Sequence, residues 1–266
     1  MYHSCVPREP RPILVAQLTD LHLTVGPDDL GAARALQTAV SAILALDSQP
    51  DVVLVTGDLT DDGDPRSYAR VRELLAPLGV PVLPIPGNHD DRDALREAFA
   101  DHPGVASTDG LVQYAVDCGG VRVLMCDTLV PGTPGGSFDA ERRAWLAAAL
   151  DGSPTIVAMH HPPIPTGIAE FDTIGLPAAD TAALAGLLDG RDEVLRVVAG
   201  HIHRVITGTV GGVPVCVAPS AWRQAVLDLG PDGRAVVGEG EPPGYALHLL
   251  TDAGALVTHA AVIRDT

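Results

Sequence analysis

The sequence predicts an α/β protein, built as a four-layer α/β/β/α sandwich with two mixed central sheets. Three features of the chain lead to this prediction. Short apolar runs alternate with helical patterns through the first half, as in a mostly parallel sheet with helical crossovers. Paired apolar runs around glycine pairs come later, as in antiparallel hairpins, and suggest that hairpins add a second sheet. Motifs rich in aspartate and histidine stand where the apolar runs end, which places a site at strand termini.

The first hundred residues follow a strand–helix series. Continuous apolar runs predict buried strands at residues 13–19, 51–55 and 80–85. The segments between them predict helices at residues 30–46, 65–78 and 91–100. Leu36, Val40 and Ile43 fall on one helical face, and Pro65 suits the first turn of its helix.

The second half mixes hairpins with further strands and helices. We expect hairpins at 111–116 with 121–126 and at 205–210 with 213–217, further strands at 155–159, 194–198, 225–229, 245–250 and 256–263, and helices at 141–150 and 180–188. Segments 130–138, 162–175 and 230–244 are expected to be loops. Because the motifs from Asp20 to His203 must converge on one site, we expect a single domain over 1–266. Its core covers about 13–219, and a tail covers 220–266.

The charge of the chain limits the substrates that it can bind. It has 17 basic residues against 34 acidic ones, a net charge of −17, and no run of basic residues. A nucleic-acid polymer is therefore an unfavourable substrate, because its binding depends on neutralising many phosphates. A small phosphate ester is compatible with this charge, since bound divalent cations reverse the local field.

The N-terminus and the cysteines indicate a cytoplasmic protein without a membrane partner. Residues 1–12 lack the features of a signal peptide, and no apolar stretch is long enough for a membrane helix. The four cysteines are Cys5, Cys118, Cys126 and Cys216, and none forms a CxxC pair. Cys126 and Cys216 lie within apolar runs, so we expect buried reduced thiols rather than a disulfide framework.

Two motifs place carboxylates at the ends of early strands. Asp20 and His22 are two residues apart, and an extended backbone would point both side chains the same way. Asp58 follows the run at 51–55, where parallel sheets place their ligands. Taken alone, the first pair is also compatible with surface residues, and Asp58 with a turn-forming aspartate.

The motif Gly87-Asn88-His89-Asp90 follows the third predicted strand. Gly87 permits a close backbone approach, and Asn88 offers a neutral oxygen ligand. His89 would then be free to contact a substrate. The alternative is that Asn88 only caps the helix that begins near Asp91.

Two histidine pairs end later strands. Adjacent residues of an extended segment point in opposite directions, so we expect His160 to bind metal and His161 to lie behind it. His201 and His203 repeat the spacing of Asp20 and His22. Together with the carboxylates and Asn88, these imidazoles suit a pair of divalent ions of intermediate hardness. The remaining histidines fit no motif and are expected to be structural or surface residues: His3, His102, His248 and His259.

This ordered set of motifs resembles the calcineurin-like metallophosphoesterase superfamily, whose pattern is DxH, GD, GNH(D/E), H and GHxH. Over residues 13–219 the closer resemblance is to class III cyclic-nucleotide phosphodiesterases and related glycerophosphodiesterases. The resemblance implies the metallophosphoesterase fold, with Asp58 bridging two metal ions. It implies one ion on Asp20, His22, Asp58 and His203, and another on Asp58, Asn88, His160 and His201. It also implies that His89 assists at the phosphate or the leaving group, with Asn88, His89 and His203 contacting substrate.

The resulting expectation is a dinuclear metal-dependent phosphodiesterase acting on a small phosphodiester such as a 3′,5′-cyclic nucleotide. A hydroxide bridging two Mn, Fe or Zn ions would attack phosphorus. A glycerophosphodiesterase or a broad-specificity phosphomonoesterase on the same site is the alternative. A non-catalytic metal-binding scaffold is disfavoured because no ligand of the pattern is missing. A homodimer is left open by the sequence.

Overall fold

The computed structural model describes residues 12–26, 31–238 and 240–264. In these residues the strands are β1 Ile13–Leu18, β2 Val52–Thr56, β3 Val82–Ile85, β4 Tyr114–Cys118, β5 Val121–Cys126, β6 Thr155–Met159, β7 Val194–Ala199, β8 Ile206–Val210, β9 Val213–Val217, β10 Gln224–Ala225, β11 Val237–Gly238, β12 Gly244–Leu250 and β13 Leu256–Val262. The α-helices are α1 Ala32–Leu44, α2 Pro65–Leu75, α3 Arg92–Ala98, α4 Pro103–Ala106, α5 Ala140–Ala149, α6 Ala169–Thr173 and α7 Ala178–Leu188, and a 3-10 turn, Ala76–Leu78, follows α2.

Two mixed sheets form the centre of the molecule. The first has the strand order β13-β12-β1-β2-β3, in which β1, β2 and β3 are parallel and β12 and β13 are antiparallel additions. The second has the order β4-β5-β6-β7-β9-β8, in which β5, β6, β7 and β9 are parallel and the edge strands are antiparallel. The carboxyl ends of the parallel strands in both sheets therefore carry the motif loops.

The alternation of side chains along the strands separates the layers. Val123 and Met125 of β5 pack with the first sheet in one core, whereas Leu124 and Cys126 pack with Leu146 of α5 in the other. Helix α1 buries its apolar face, including Leu36 and Ile43, in the first core. The predicted four-layer α/β/β/α sandwich is thus confirmed.

The order in which the sheets are assembled differs from the prediction. The second sheet begins at β4, before the parallel series is complete, and the C-terminal hairpin joins the first sheet beside β1. Strand β9 lies parallel to β7, with β8 outside it. Apolar alternation shows that a segment is a strand, but it does not specify its partner, because strand pairing over long sequence distances is decided by packing.

Several predicted elements need correction. The strand expected at 225–229 reduces to the two residues of β10, because its partner β11 is equally short, and Leu227 and Leu229 are exposed. The loop expected at 162–175 contains α6, and the loop at 230–244 contains β11. The strand expected at 111–116 begins at Tyr114, and α4 was not predicted. Residue 30 of the first predicted helix lies outside the described residues.

Among the described residues, the cysteines are buried, and the remaining histidines are buried or lie on the surface. Cys118, Cys126 and Cys216 are buried, whereas Cys5 lies outside the described residues, as does His3. His248 is buried and lies 3.0 Å from the Gln17 side chain. His102 is buried at the start of α4, and His259 is exposed on β13. None of the helices in the described part of the chain is long and apolar enough to cross a membrane.

Candidate active site

The motif loops converge at the carboxyl ends of the strands. Six of the residues predicted from the sequence are buried there, and the structure brings them together: Asp20, His22, Asp58, His160, His201 and His203. Groups of three candidate ligand atoms lie within 4.8 Å of one another, one of them formed by Asp20, His22 and His203 and another by Asp20, Asp58 and His160. The side chain of Asn88 reaches the same cluster, with its Oδ1 3.1 Å from His160 Nε2.

The backbone at this site is left-handed. Within the described residues, the non-glycine residues with positive φ are all site residues: Asp20, His22, Asp58, His201 and His203. The extended backbone assumed for the Asp20–His22 and His201–His203 pairs is therefore wrong, although both members of each pair enter the site. Each such conformation costs about 1–3 kcal/mol and persists only where neighbouring contacts hold it. Here the Asp20 and His22 amides donate to the carbonyls of Gly57 and Asp58.

Two motif glycines are required because side chains approach their backbone. A Cβ atom at Gly57, whose φ is 95°, would lie 2.6 Å from His160 Cγ. A Cβ atom at Gly87 would lie 2.8 Å from His160 Cε1 and would also collide with Asp58. The close approach at Gly87 is thus made by protein side chains of the site.

The Asn88 alternative is excluded by the start of α3. The side chain of Asp91 accepts hydrogen bonds from the Asp93 and Ala94 amides and is therefore the N-cap of that helix. Asn88 contributes nothing to this cap and instead faces His160.

Backbone carbonyls orient three of the imidazoles. His160 Nδ1 donates to the Thr56 carbonyl at 2.9 Å, and His203 Nδ1 donates to the Arg223 carbonyl at 2.7 Å. His201 Nε2 donates to the Ile174 carbonyl at 3.1 Å. Because a carbonyl only accepts, the bonded nitrogen carries the hydrogen, and in the neutral form of the ring, which is the form that binds a metal ion, the other nitrogen presents a lone pair to the site.

Facing lone pairs provide a test of whether this site fits a cation. The His22 Nδ1 atom lies 2.8 Å from Asp61 Oδ1 and donates to it, so the neutral ring has its lone pair on Nε2. That atom lies 3.0 Å from His203 Nε2, whose own hydrogen is on Nδ1. Two neutral imidazoles that face each other at this separation repel unless a proton or a metal ion lies against both nitrogens. The donor set therefore fits a metal ion.

Asp58 lies between the two halves of the cluster. Its Oδ2 atom is 3.6 Å from His22 Nε2 and 3.4 Å from His160 Nε2. Burial alone would raise the pKa of Asp58, but the nearby imidazoles, His160 above all, hold it well below its ordinary value. In turn, although burial opposes it, the Asp58 carboxylate raises the pKa of His160 to about 9. The field at this point favours positive charge.

His161 has both ring nitrogens in use, although its ring lies 4.5 Å from that of His201. Its Nδ1 atom is 2.8 Å from Thr128 Oγ1, and its Nε2 donates to the Pro134 carbonyl at 3.1 Å. The distances alone would allow His161 to bind a metal ion together with His160 and His201, because candidate ligand atoms of the three lie within 4.8 Å of one another. The two hydrogen bonds argue against this role, because they leave no lone pair on His161 for a metal ion.

We expect His160→Ala and His161→Ala to differ in metal content. Loss of His160 removes a nitrogen that faces Asp58, so the variant should lose part of its metal. Its activity should fall at least about 100-fold, because removing a group that only supports a metal ligand already costs roughly 10–100-fold. The His161→Ala variant should keep its metal and retain measurable activity. Metal analysis by mass spectrometry after gel filtration gives the comparison, and equal metal loss in both variants would contradict it.

His89 stands at the exposed side of the cluster. Its side chain is 40% exposed, its ring lies 4.8 Å from that of His22, and its Nδ1 is 3.1 Å from Asp61 Oδ1. The hydrogen bond to Asp61 raises the pKa of His89 to about 9. With Nδ1 held in this way, the Nε2 atom is the one that can reach a substrate.

Two further aspartates support the site, Asp61, which the motifs did not predict, and Asp90, to which they gave no role. Asp61 binds both His22 and His89, and its position three residues after Asp58 was the available signal. Asp90 is buried, and it accepts hydrogen bonds from the Gly87 amide at 2.8 Å and the Tyr68 hydroxyl at 2.8 Å. Burial raises the pKa of Asp90 to about 6, and the charge of Asp58 adds to this effect.

An Asp61→Asn substitution should weaken the site through the two histidines that it orients. Loss of an outer-shell carboxylate costs roughly 10–100-fold in metal affinity or activity. We expect a loss of about that size in kcat/KM, with a shift of the Mn dependence to higher concentration. Asp62→Asn, at the neighbouring exposed position, serves as the control. Equal effects of the two substitutions would show that Asp61 does not position His22 and His89.

Comparisons with known proteins show the family of this chain. Residues 13–205 match the sequence model of the family described as Calcineurin-like phosphoesterase. The chain is 31% identical over 258 residues to a probable glycerophosphodiester phosphodiesterase of Arcobacter nitrofigilis, covering 94% of this chain and 93% of the relative. It is 36% identical over 233 residues to a cAMP/cGMP dual specificity phosphodiesterase of Mycobacterium tuberculosis, covering 82% of this chain and 70% of the relative.

Solved structures show the same fold at low identity. The TT1561 protein of Thermus thermophilus has a TM-score of 0.57 and 17% identity, with 96% of this chain and 100% of that chain covered. The purple acid phosphatase PPD1 of yellow lupin has a TM-score of 0.62 and 14% identity, with 97% and 55% covered. The family match spans the motifs from Asp20 to His203, whose side chains meet at one cluster of potential metal ligands. The chain therefore belongs to the calcineurin-like phosphoesterase family, whose members use divalent metals, and is a phosphoric ester hydrolase.

Proposed function

We propose that this enzyme is a dinuclear phosphodiesterase whose substrate is a small phosphodiester, with 3′,5′-cyclic nucleotides as the first candidates. The observation that carries the proposal is the position of Asp58. Its carboxylate lies between His22 and His160, and each of these imidazoles points its Nε2 atom towards it, the atom that holds the lone pair in the neutral ring. A carboxylate placed between two sets of nitrogen ligands suits two cations that share it.

The proposed ligands divide into two sets. One ion would be held by Asp20, His22, Asp58 and His203, and the other by Asp58, Asn88, His160 and His201. When bound, the ions would neutralise phosphate charge and make a water molecule more acidic. Mn, Fe and Zn all suit this mixture of ligands.

His89 and Asn88 are proposed to act on the substrate itself. His89 Nε2 would hold the proton that passes to the leaving alkoxide, while Asp61 keeps the ring in place through Nδ1. The Asn88 side chain and His203, which are also proposed metal ligands, would contact phosphoryl oxygens of the substrate. The His89 amide donates to Asp58 Oδ1 at 3.0 Å, which ties the substrate-facing loop to the shared carboxylate.

Two classes of small phosphodiester are candidate substrates. Relatives named as cyclic-nucleotide and glycerophosphodiester phosphodiesterases both match this chain over most of its length, so a glycerophosphodiesterase is the second candidate. The net charge of −17 supports a small ester over a nucleic-acid polymer.

A substrate panel tests the proposal. After reconstitution with Mn, rates are compared for 3′,5′-cyclic AMP, 2′,3′-cyclic AMP, glycerophosphoethanolamine, bis(4-nitrophenyl) phosphate and 4-nitrophenyl phosphate. We expect the highest kcat/KM with 3′,5′-cyclic AMP and a clear preference for the nitrophenyl diester over the monoester. A preference for the monoester would replace the proposal with a phosphomonoesterase, and no hydrolysis of any ester would reject it.

We also propose that the whole chain is one domain that acts in the cytoplasm. Strands β12 and β13 extend the sheet that contains β1, which supports a single unit. The buried free thiols of Cys126 and Cys216 agree with a reducing compartment.

A homodimer that pairs through β13 is proposed as well. This strand is an edge of the first sheet, and its seven residues include no aspartate, glutamate, lysine, arginine or proline. Val257 and Val262 are 41% and 52% exposed. Such an edge is open to pairing with another strand. Antiparallel pairing with a second copy would bring the Asp252 end of one strand towards the Arg264 end of the other.

We therefore expect Val257→Lys to convert a dimer into a monomer. The charge would have to be desolvated against the second strand, so pairing should be lost at micromolar concentration. Multi-angle light scattering gives the mass, and Leu229→Lys, at an exposed apolar site elsewhere, is the control. A wild-type monomer, or a dimer lost only in the control, would reject this interface.

A further inference from the structure

A cleft next to the metal-ligand cluster is unused by the functions described above. Its volume is about 670 Å³, and its described lining includes Arg34, Thr38, Trp222, Arg223, Pro242 and Pro243. Small-molecule sites usually have volumes of about 300–1,000 Å³, so the cleft is large enough for a nucleoside.

Trp222 is the wall that the cleft shares with the candidate active site. Its ring centroid lies 5.5 Å from that of His22, and the side chain is half-buried. The Arg223 guanidinium lies over the Trp222 ring at 4.6 Å from the centroid. The Trp222 ring, with the Arg223 guanidinium over it, therefore extends from His22 to the wall of the cleft. Aromatic residues make up only 3% of the chain, so few other side chains could offer a base a ring to stack on.

Hydrogen bonds hold this stack in a constant position relative to the metal ligands. The Ala221 amide donates to the Thr19 carbonyl at 3.0 Å, and the Ser220 hydroxyl donates to the Asp20 carbonyl at 2.9 Å. The same Ser220 Oγ accepts from the Trp222 amide at 3.0 Å. The carbonyl of Arg223 is the acceptor for His203 Nδ1. The segment that carries the stack is therefore built into the backbone of the metal site.

We propose that this cleft binds the base of a nucleotide phosphodiester, with the base stacked on the Trp222–Arg223 pair. The inference rests on the proposed function and names its substrate class. A guanidinium plane presents a stacking face whatever partners its N–H groups have, and it accepts any nucleobase. Thr38 of α1 donates its hydroxyl hydrogen to the Arg34 carbonyl, and its oxygen can accept a hydrogen bond from the polar edge of the base at the cleft wall. A glycerol group has no flat face and would leave most of this volume unfilled.

The binding test uses the full chain after removal of divalent ions. The chain has two tryptophans, so a Trp145→Phe variant leaves Trp222 as the only indole. Titration with adenosine, excited at 295 nm, should give saturable quenching, whereas glycerol should give none. Arg223→Gln should weaken the adenosine affinity roughly 10-fold, within the range for loss of one base-stacking partner. Quenching by inorganic phosphate but not by adenosine would identify an anion site and overturn the proposal.

The activity test measures selectivity in the Mn-loaded enzyme. The ratio of kcat/KM for 3′,5′-cyclic AMP to that for glycerophosphoethanolamine should fall roughly 10-fold in Trp222→Leu, mainly through KM, and recover in part in Trp222→Tyr. Trp145→Phe should leave the ratio unchanged. A ratio that Trp222→Leu does not alter would overturn the inference. If no ester is hydrolysed, the proposed function fails, while adenosine binding to the metal-free protein still tests the cleft by itself.

Discussion

Replacing Asp58 with alanine should remove metal and turnover together. The carboxylate lies between His22 and His160, so its loss should affect both proposed ions at once. The substitution would also remove a negative charge that stabilises a cation bound by His22 and His203. The loss of activity should exceed the roughly 10–100-fold cost of removing an outer-shell partner. We expect a decrease of at least about 10³-fold, with less than one ion retained per chain.

An asparagine at position 58 separates the charge of this residue from its packing. Asp58→Asn keeps an oxygen that can accept the hydrogen bond of the His89 amide, and it keeps the shape of the side chain. The variant should fold normally by circular dichroism and still show a large loss of metal and rate. Metal content is measured by mass spectrometry beside activity across a Mn titration. Two ions and a normal rate in either variant would refute the shared-ligand assignment.

The His89→Ala variant should distinguish esters by their leaving groups. His89 lies outside the buried ligand cluster, with its Nδ1 held by Asp61, so its loss should leave metal binding nearly intact. General acid catalysis contributes roughly 10²–10⁴-fold where the leaving group needs a proton. We expect a loss of that size for a cyclic nucleotide and only a modest loss for bis(4-nitrophenyl) phosphate, because nitrophenolate leaves without protonation.

Rate constants for the two ester types in wild type and variant provide the measurement. His259→Ala, at an exposed histidine of β13, is the matched control and should change neither rate. Equal losses for both esters would mean that His89 only holds a phosphate oxygen. In that case the proton-transfer role would be abandoned, while the metal assignments would stand.

The sequence was sufficient to predict the fold class and the residues that gather at the site. Apolar runs marked most strands to within one or two residues, because burial on both faces of a sheet requires continuous apolar sequence. The candidate ligands could be named because their chemistry and their position after those runs point to the same kind of site. Asp61 was not named, since its position three residues after Asp58 is a weak signal in a loop that also contains Asp62 and Asp64.

Tertiary structure decided the features that depend on contacts between distant parts of the chain. The left-handed backbone at Asp20 and Asp58 arises from hydrogen bonds between two loops, so no local pattern of residues shows it. Likewise, β12 joins β1 across most of the chain length, and Trp222 meets His22 only after that folding. Local sequence determines which segments become strands and which atoms can bind a cation. Which strands pair, and which nitrogen of each histidine faces the site, depend on neighbours that folding alone brings together.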